Sequence, residues 1–376
     1  MKKRILCVIL SALCLAPLLT PAAYAAPRPW PTRGFVMGEP MPWYRAPLLE
    51  ARLMVEGVSN GNVFNDSVMV LKGGELVYER HYFGWDADTP HQMYSVTKSV
   101  LSALVGVAIQ DKKIRSVDQK VTEFFKDLAI PAGQEDKYDI TIEHLLRQTS
   151  GLPGDSDYES NAVDWWNEKD SGRASFLFPQ VAKPGERFAY SSGPGMQALA
   201  ALITNAVGEN LFDYAQRRLF APLGMNSVKW DAAADGVNYG GFGLSMSPND
   251  MLRLGYLYLN EGNWDGTQII PADYIAASRP QPTLGANYGY LFWGTTDRKG
   301  FEDVYDASGS FGNFIFIMPD HDTVIVRTGS AGPTTRTVAK GMQSSKLVES
   351  VFMGLIYPLV PLKGVPLAYF METLGT

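Results

Sequence analysis

The run Ser95-Val96-Thr97-Lys98 places a hydroxyl and an amine three residues apart. It opens a segment with apolar residues at Val96, Val100, Leu101, Leu104, Val105, Ala108 and Ile109. That spacing predicts a helix with one broad buried face. Residues three apart share a side of a helical turn, so the Ser95 hydroxyl and the Lys98 amine fall together. A neutral amine there can take the hydroxyl's proton. The unsatisfied N–H groups of a first helical turn favour negative charge on a reacting oxygen. The competing account is a Ser N-cap followed by a solvated lysine. Ser-Lys chemistry also needs a group that protonates a leaving group. Tyr190-Ser191-Ser192 is the candidate: it follows the turn at Pro184-Gly185 and leads through Gly193-Pro194-Gly195 into a helix. A phenol acts as a base only if its pKa is lowered, and a nearby Lys98 ammonium would lower it.

Other chemistries lack their residues. His81, His91, His144 and His321 have no histidine partner at ligand spacing, and no H-E-x-x-H occurs, so neither a metal nor a cofactor is expected. Gly57-Val58-Ser59-Asn60-Gly61 matches G-x-S-x-G. A helical stretch precedes it and a strand follows, which reverses the order a nucleophile elbow requires. The only cysteines, Cys7 and Cys14, fall in the leader, so no Cys nucleophile and no disulfide is available to the remaining chain.

The elements that must position Ser95 and Tyr190 can be read in outline. Asn65–Leu71 and Glu75–Tyr82 are β-rich and flank Gly73-Gly74, which predicts a hairpin. Phe311–Met318 and Thr323–Arg327 form a second one around Pro319–Asp322. Helical stretches are expected at Leu48–Val55, Ser116–Phe125, Thr141–Leu146, Gly195–Val207, Phe212–Leu219, Pro248–Asn260, Pro271–Ala277 and Lys346–Ile356, with a polar loop at Asp155–Gly172. Strands at the two ends and helices between them predict an α+β fold. Its antiparallel sheet is built from both ends of the chain, and a mostly helical insertion spans about residues 112–285. A cleft between the two parts is a natural place for a site.

The chain has 376 residues, of which 46% are hydrophobic and 19% charged, enough apolar material for a large core. Lys2, Lys3 and Arg4, the apolar Ile5–Leu19 and the small residues of Ala23-Tyr24-Ala25 read as a secretory leader over residues 1–25. An exported, periplasmic or secreted protein is therefore expected. An arm and short helix over 26–60 would follow, then the main domain over 61–376. Losing the leader's three cations takes the formal charge from −6 to −9. An acidic chain without a Lys/Arg cluster excludes nucleic acid as a partner. No stretch after the leader is long and apolar enough to span a bilayer.

Ser95-x-x-Lys98 together with Tyr190-Ser191-Ser192 resembles the serine hydrolases of the beta-lactamase and penicillin-binding-protein superfamily. The likeness is greatest to the class C-like branch, and within it to 6-aminohexanoate-dimer hydrolases and related esterases. Further landmarks follow in order: Ile142–Leu152, Phe220–Met225, Ser247–Gly255, Leu259–Gly266, Ile269–Pro271, Tyr288–Tyr290 and Trp293. The resemblance implies acyl transfer onto Ser95, with a small molecule or short peptide as substrate. Proton removal would fall to Lys98, Tyr190 or both. Tyr190 would protonate the leaving group, and Ser192 would hydrogen-bond Lys98 or the leaving group. Gly309 would let the backbone come close, and the N–H groups of Ser95 and Ser310 would form the oxyanion hole. Trp165, Trp166, Tyr158 and Tyr288 could wall the cleft, with ordinary packing as the competing account. Two positions depart from the lactamase pattern. Ala307 stands where a cation is usual, and Ser192 where Asn is usual. Both changes argue against efficient beta-lactam hydrolysis. A D-alanyl-D-alanine carboxypeptidase or beta-lactamase, and a non-catalytic binder of cell-wall peptides, are the alternatives.

Overall fold

The computed structural model describes residues 28–39, 63–158, 164–294 and 302–331. The expected leader, the helices expected over Leu48–Val55 and Lys346–Ile356 and the loop expected at Gly57–Gly61 lie outside these residues.

Two hairpins from opposite ends of the chain form the middle of the main sheet. β2 (Val63–Lys72) and β3 (Glu75–His81) turn at Gly73-Gly74, both with positive φ (60° and 88°), a conformation glycine adopts without steric cost. β13 (Asn313–Met318) and β14 (Thr323–Ala331) form the second hairpin. β14 pairs antiparallel with β2, opposing Ile325 to Val70 and Arg327 to Val68, so the ladder joins the two ends. The sheet runs β1-β3-β2-β14-β13-β12-β11-β10-β9, with β1 at Val36–Met37, β9 at Gln281–Thr283, β10 at Ala286–Tyr288, β11 at Trp293–Gly294 and β12 at Tyr305–Gly309. This is the expected α+β architecture, with two corrections. β1 runs parallel to β3, because the arm leading into it is held elsewhere. Trp30 packs on Tyr256 and Trp264, and Arg253 donates to the Pro31 carbonyl at 2.9 Å. β9 lies within the expected insertion yet belongs to the main sheet.

Helices cover one face of this sheet. α1 (Val96–Gln110) is buried from Val96 to Ala108. Then come α2 (Ile142–Leu146), α3 (Ser171–Phe176), α4 (Pro194–Val207) and α5 (Leu211–Ala215), which runs on through a π turn at Gln216–Phe220. α6 (Pro248–Leu259) begins at Ser247, whose hydroxyl accepts from the Asp250 N–H at 3.2 Å, and α7 spans Ala272–Ser278. α6 lies close on the sheet: a Cβ at Gly255 would come within 2.5 Å of Val324 and 2.8 Å of Ile315. The stretch expected to be helical over Ser116–Phe125 holds only a 3-10 turn, Val121–Phe124. There the Gln119 and Glu123 side chains take the N–H groups of Arg115 and Lys120, which competes with a helix. Short strands β4 (His91–Gln92), β6 (Leu244–Met246) and β5 (Lys229–Trp230) make a second sheet that carries the chain into α1.

α1 is clamped at its far end. Asp111 accepts from Arg218 Nε at 2.8 Å and Nη2, and from the Tyr214 hydroxyl at 2.9 Å. Arg218 holds the Asp111 carboxyl below its usual range. Asp111→Ala strands these donors, and charged hydrogen bonds of this kind contribute about 2 kcal/mol. A matching fall in unfolding free energy in urea is expected, and an unchanged midpoint would refute the clamp.

Candidate active site

Ser95 occupies the N-cap position of α1, yet its hydroxyl makes no capping bond. It receives Lys98 Nζ at 2.8 Å instead. Lys98 is only 1% exposed. The account of a capping serine beside a solvated lysine therefore fails on both residues. The buried ammonium is satisfied by two further acceptors, Ser192 Oγ at 3.0 Å and the Gly241 carbonyl at 3.0 Å. Burial lowers the Lys98 pKa to about 7, against an opposing pull from the Asp155 carboxylate. At neutral pH a large share of the amine is thus unprotonated.

Tyr190 sits on the other side of the pair. Its ring centroid is 4.7 Å from Lys98 Nζ, and the Ser95 side chain is near enough to its phenol to pull the phenol's pKa down. The expectation that Lys98 lowers the Tyr190 pKa does not hold. Burial pushes the phenol up, Asp155 and Asp306 add to this, and only the Ser95 side chain opposes it. Tyr190 is therefore a neutral phenol, suited to giving a proton rather than taking one.

Ser192 is anchored by a residue that sequence reasoning missed. Asp155 Oδ1 accepts the Ser192 N–H at 2.6 Å and Oδ2 accepts its hydroxyl at 2.7 Å. Gly241 was missed as well. It approaches so closely that a Cβ would lie 2.0 Å from the Ser192 carbonyl. The only advance signals were the glycine cluster Gly240-Gly241-Phe242-Gly243 and the acidic run Asp155-Ser156-Asp157.

β12 delivers the opposite wall. A Cβ at Gly309 would lie 2.3 Å from the Met93 carbonyl, so the strand end is packed against the chain entering α1. Beyond it, Ser310 leads into a turn with Phe311 at φ 62° and Gly312 at φ 76°. Asn313 donates to the Ser310 carbonyl at 2.7 Å, and buried Arg327 donates to the Phe311 carbonyl at 3.2 Å and to that of Gly312. The Ser95 N–H has no partner among the described residues. Ala307 is buried on the core face of β12 opposite Ile315 and brings no charge.

The aromatic residues divide. Trp165 packs edge-on to Trp166 at 5.1 Å and, with the Tyr158 hydroxyl, closes over Gly193 beside Ser192. Trp166 lies on the far side of that pair, with its carbonyl holding the Ala234 N–H. Tyr288 is fully buried behind Tyr190, in a cluster with Phe188 and Trp293. Trp293, at 5.4 Å from the Tyr190 ring, is the nearer neighbour. Among the described residues no group of His, Cys, Asp and Glu is placed to hold a metal ion, and no helix is long and apolar enough to cross a membrane.

Residues 51–341 match the beta-lactamase family. A 6-aminohexanoate-dimer hydrolase from Paenarthrobacter ureafaciens is 24% identical over 334 residues, which is 81% of each chain. Among solved structures, a penicillin-binding-protein homologue from Caulobacter crescentus superposes with a TM-score of 0.65 at 16% identity, over 84% of this chain and 99% of the other. An octameric penicillin-binding-protein homologue from Pyrococcus abyssi gives a TM-score of 0.60 at 20% identity, over 81% and 77%. These likenesses carry the fold. The family match spans well over half of the sequence, so this chain belongs to the beta-lactamase family and is a serine hydrolase.

Proposed function

We propose that the protein cleaves a carboxylic amide or ester through an acyl-enzyme on Ser95. The observation that carries this reading is the buried Lys98 amine, near-neutral in pKa and 2.8 Å from the Ser95 hydroxyl. Neutral Lys98 takes the hydroxyl proton as Ser95 Oγ bonds to the substrate carbonyl carbon. The carbonyl oxygen becomes an oxyanion, held by the N–H groups of Ser95 and Ser310. The Tyr190 phenol gives its proton to the leaving nitrogen or oxygen as that bond breaks. The Lys98 ammonium restores the phenol's proton and becomes neutral again. Water then attacks the acyl-enzyme, the Lys98–Tyr190 pair takes its proton and returns it to Ser95, and the acid leaves.

The substrate has no need of a carboxylate at the site where lactamases bind one, since Ala307 offers no cation there. We place the reaction outside the cytoplasm, on the strength of the basic, apolar and small-residue segments of residues 1–25. A substrate panel tests the reading. Short-chain nitrophenyl esters, linear amides, D-amino-acid peptides and nitrocefin are offered to the protein, and a fluorophosphonate probe is mapped by mass spectrometry. The expected result is labelling at Ser95 with ester or linear-amide turnover, and with nitrocefin turned over at least about 100-fold more slowly, the scale of two lost charged or amide contacts. Muropeptide binding without labelling would establish a non-catalytic binder, and stable acylation by penicillin would establish a carboxypeptidase-like enzyme.

A further inference from the structure

We propose that Asp155 is a positioning residue that fixes the direction of the proton path, so that the lone pair of the Lys98 amine faces Ser95 and nothing else. The inference rests on the reading of Ser95 as nucleophile and Lys98 as its proton acceptor.

The argument is a count of donors and acceptors around one nitrogen. An ammonium has three N–H donors, and Lys98 Nζ has three acceptors: Ser95 Oγ, Ser192 Oγ and the Gly241 carbonyl, at 2.8, 3.0 and 3.0 Å. On losing a proton the amine keeps two N–H groups and gains a lone pair that needs a donor. The Gly241 carbonyl can only accept. A serine hydroxyl can donate or accept, so Ser95 and Ser192 compete for the lone pair. Asp155 decides the contest. Its Oδ2 takes the Ser192 hydroxyl hydrogen at 2.7 Å, and its Oδ1 locks the Ser192 N–H at 2.6 Å. Ser192 then presents only lone pairs to Lys98. The remaining partner is Ser95, whose hydrogen points into the amine that will remove it. When the proton transfers, the new ammonium lies one hydroxyl away from the Asp155 carboxylate, which favours the charge created.

Among the described residues the charged and titratable neighbours are few, and Asp155 Oδ1 also accepts the Tyr158 hydroxyl at 3.4 Å. Tyr190 presents its ring to Nζ from the segment before α4, and Asp155 reaches it through Ser192. Asp306, on β12, bears on Tyr190, while among the described residues Asp155 is the carboxylate that bears on Lys98. Asp157 is engaged by Arg187 at 2.7 Å.

Asp155→Asn tests the idea, because an amide inverts the polarity. Its oxygen still accepts the Ser192 N–H, but its NH2 donates to Ser192 Oγ and turns the Ser192 hydrogen toward Lys98. The burst-phase acylation rate with a nitrophenyl ester should fall by roughly 10- to 100-fold, a part of what a positioned base supplies, with KM little changed. The acid limb of the pH–rate profile should move to lower pH, since the amine loses its counter-charge. Asp155→Ala leaves Ser192 free rather than inverted and should cost less than Asp155→Asn. In a Ser192→Ala background the Asp155→Asn fall in the plateau acylation rate should vanish, because no hydroxyl remains to be turned, while the shift of the acid limb stays. A fall that persists undiminished in that background would assign Asp155 to direct substrate contact, and would overturn the proposal. So would an Asp155→Asn enzyme with wild-type acylation, or an Ala variant slower than the Asn variant. Fluorophosphonate labelling of wild type separates the two levels. Labelling elsewhere than Ser95 sinks the nucleophile reading itself, whereas labelling at Ser95 with no Asp155 effect sinks only this inference.

Discussion

Ser95→Ala is expected to remove hydrolysis of every substrate that the wild-type protein turns over. Loss of a serine nucleophile from a site of this kind lowers kcat on the order of 10⁶-fold, leaving only what binding and oxyanion donors supply. The fold should persist, because α1 is held by its buried residues from Val96 to Ala108 and by the Asp111 clamp, not by the Ser95 hydroxyl. The substitution removes one of three acceptors from Lys98 Nζ. A modest loss of stability, about 1 kcal/mol, is expected from that, read as a small shift in the denaturation midpoint. Steady-state turnover and probe labelling at equal protein concentration decide the matter, and a variant that keeps its turnover places the nucleophile elsewhere.

Lys98→Met is expected to separate activity from stability in opposite directions. Met matches the length of the buried stem and cannot accept a proton, so acylation should fall by about 10³- to 10⁴-fold, the upper range for a general base. In wild type the rate should rise with pH to a plateau just above the Lys98 pKa of about 7, and that limb should be missing from the residual activity of the variant. Stability should follow the opposite course. An unfolded lysine stays protonated up to about 10.5, whereas folded Lys98 loses its proton near 7. Below pH 7 both states carry the proton, and the full desolvation cost burdens the folded state. Between about 7 and 10.5 the unfolded chain binds one more proton than the folded one, so the wild type gains stability as pH rises. Lys98→Met lacks this slope. Its advantage over wild type should be greatest below pH 7 and should shrink toward pH 10. Parallel stability curves would show that the amine is not desolvated as described.

Ser95, Lys98 and Tyr190 were legible because each belongs to a short local pattern. Ser-x-x-Lys shares one helical turn, and Tyr-Ser-Ser precedes a Gly-Pro-Gly entry into a helix. Asp155 and Gly241 were not, because their partners lie far along the chain: Ser192 is 37 residues from Asp155, and Gly241 is 143 residues from Lys98. The direction of the Tyr190 shift was misread for a related reason. A sequence can nominate Lys98 as a neighbour, but the degree of burial that raises the phenol is a product of the whole fold. The same division runs through the architecture. The hairpins β2–β3 and β13–β14 were visible as paired β-rich runs around turn residues, whereas β9, β10 and β11 hold two or three residues each and are too short for alternation to register. The parallel β1 depends on the docking of Trp30 and Pro31, which no local pattern encodes.

The ladder between β2 and β14 makes this a protein of high contact order, with a candidate site that can only be assembled late. α1, with Ser95 and Lys98, leaves the ribosome early. The turn at Ser310 and the strand that covers the open edge of β2 emerge only about 200 residues later. Until β14 arrives, β2 is an unpaired edge liable to join other chains, and Ser95 has no opposite wall. Closing that loop carries an entropy cost that local contacts cannot recover first. Regained activity after dilution from denaturant should therefore lag behind regained helical circular dichroism, so that hydrolysis reports the last long-range step of folding.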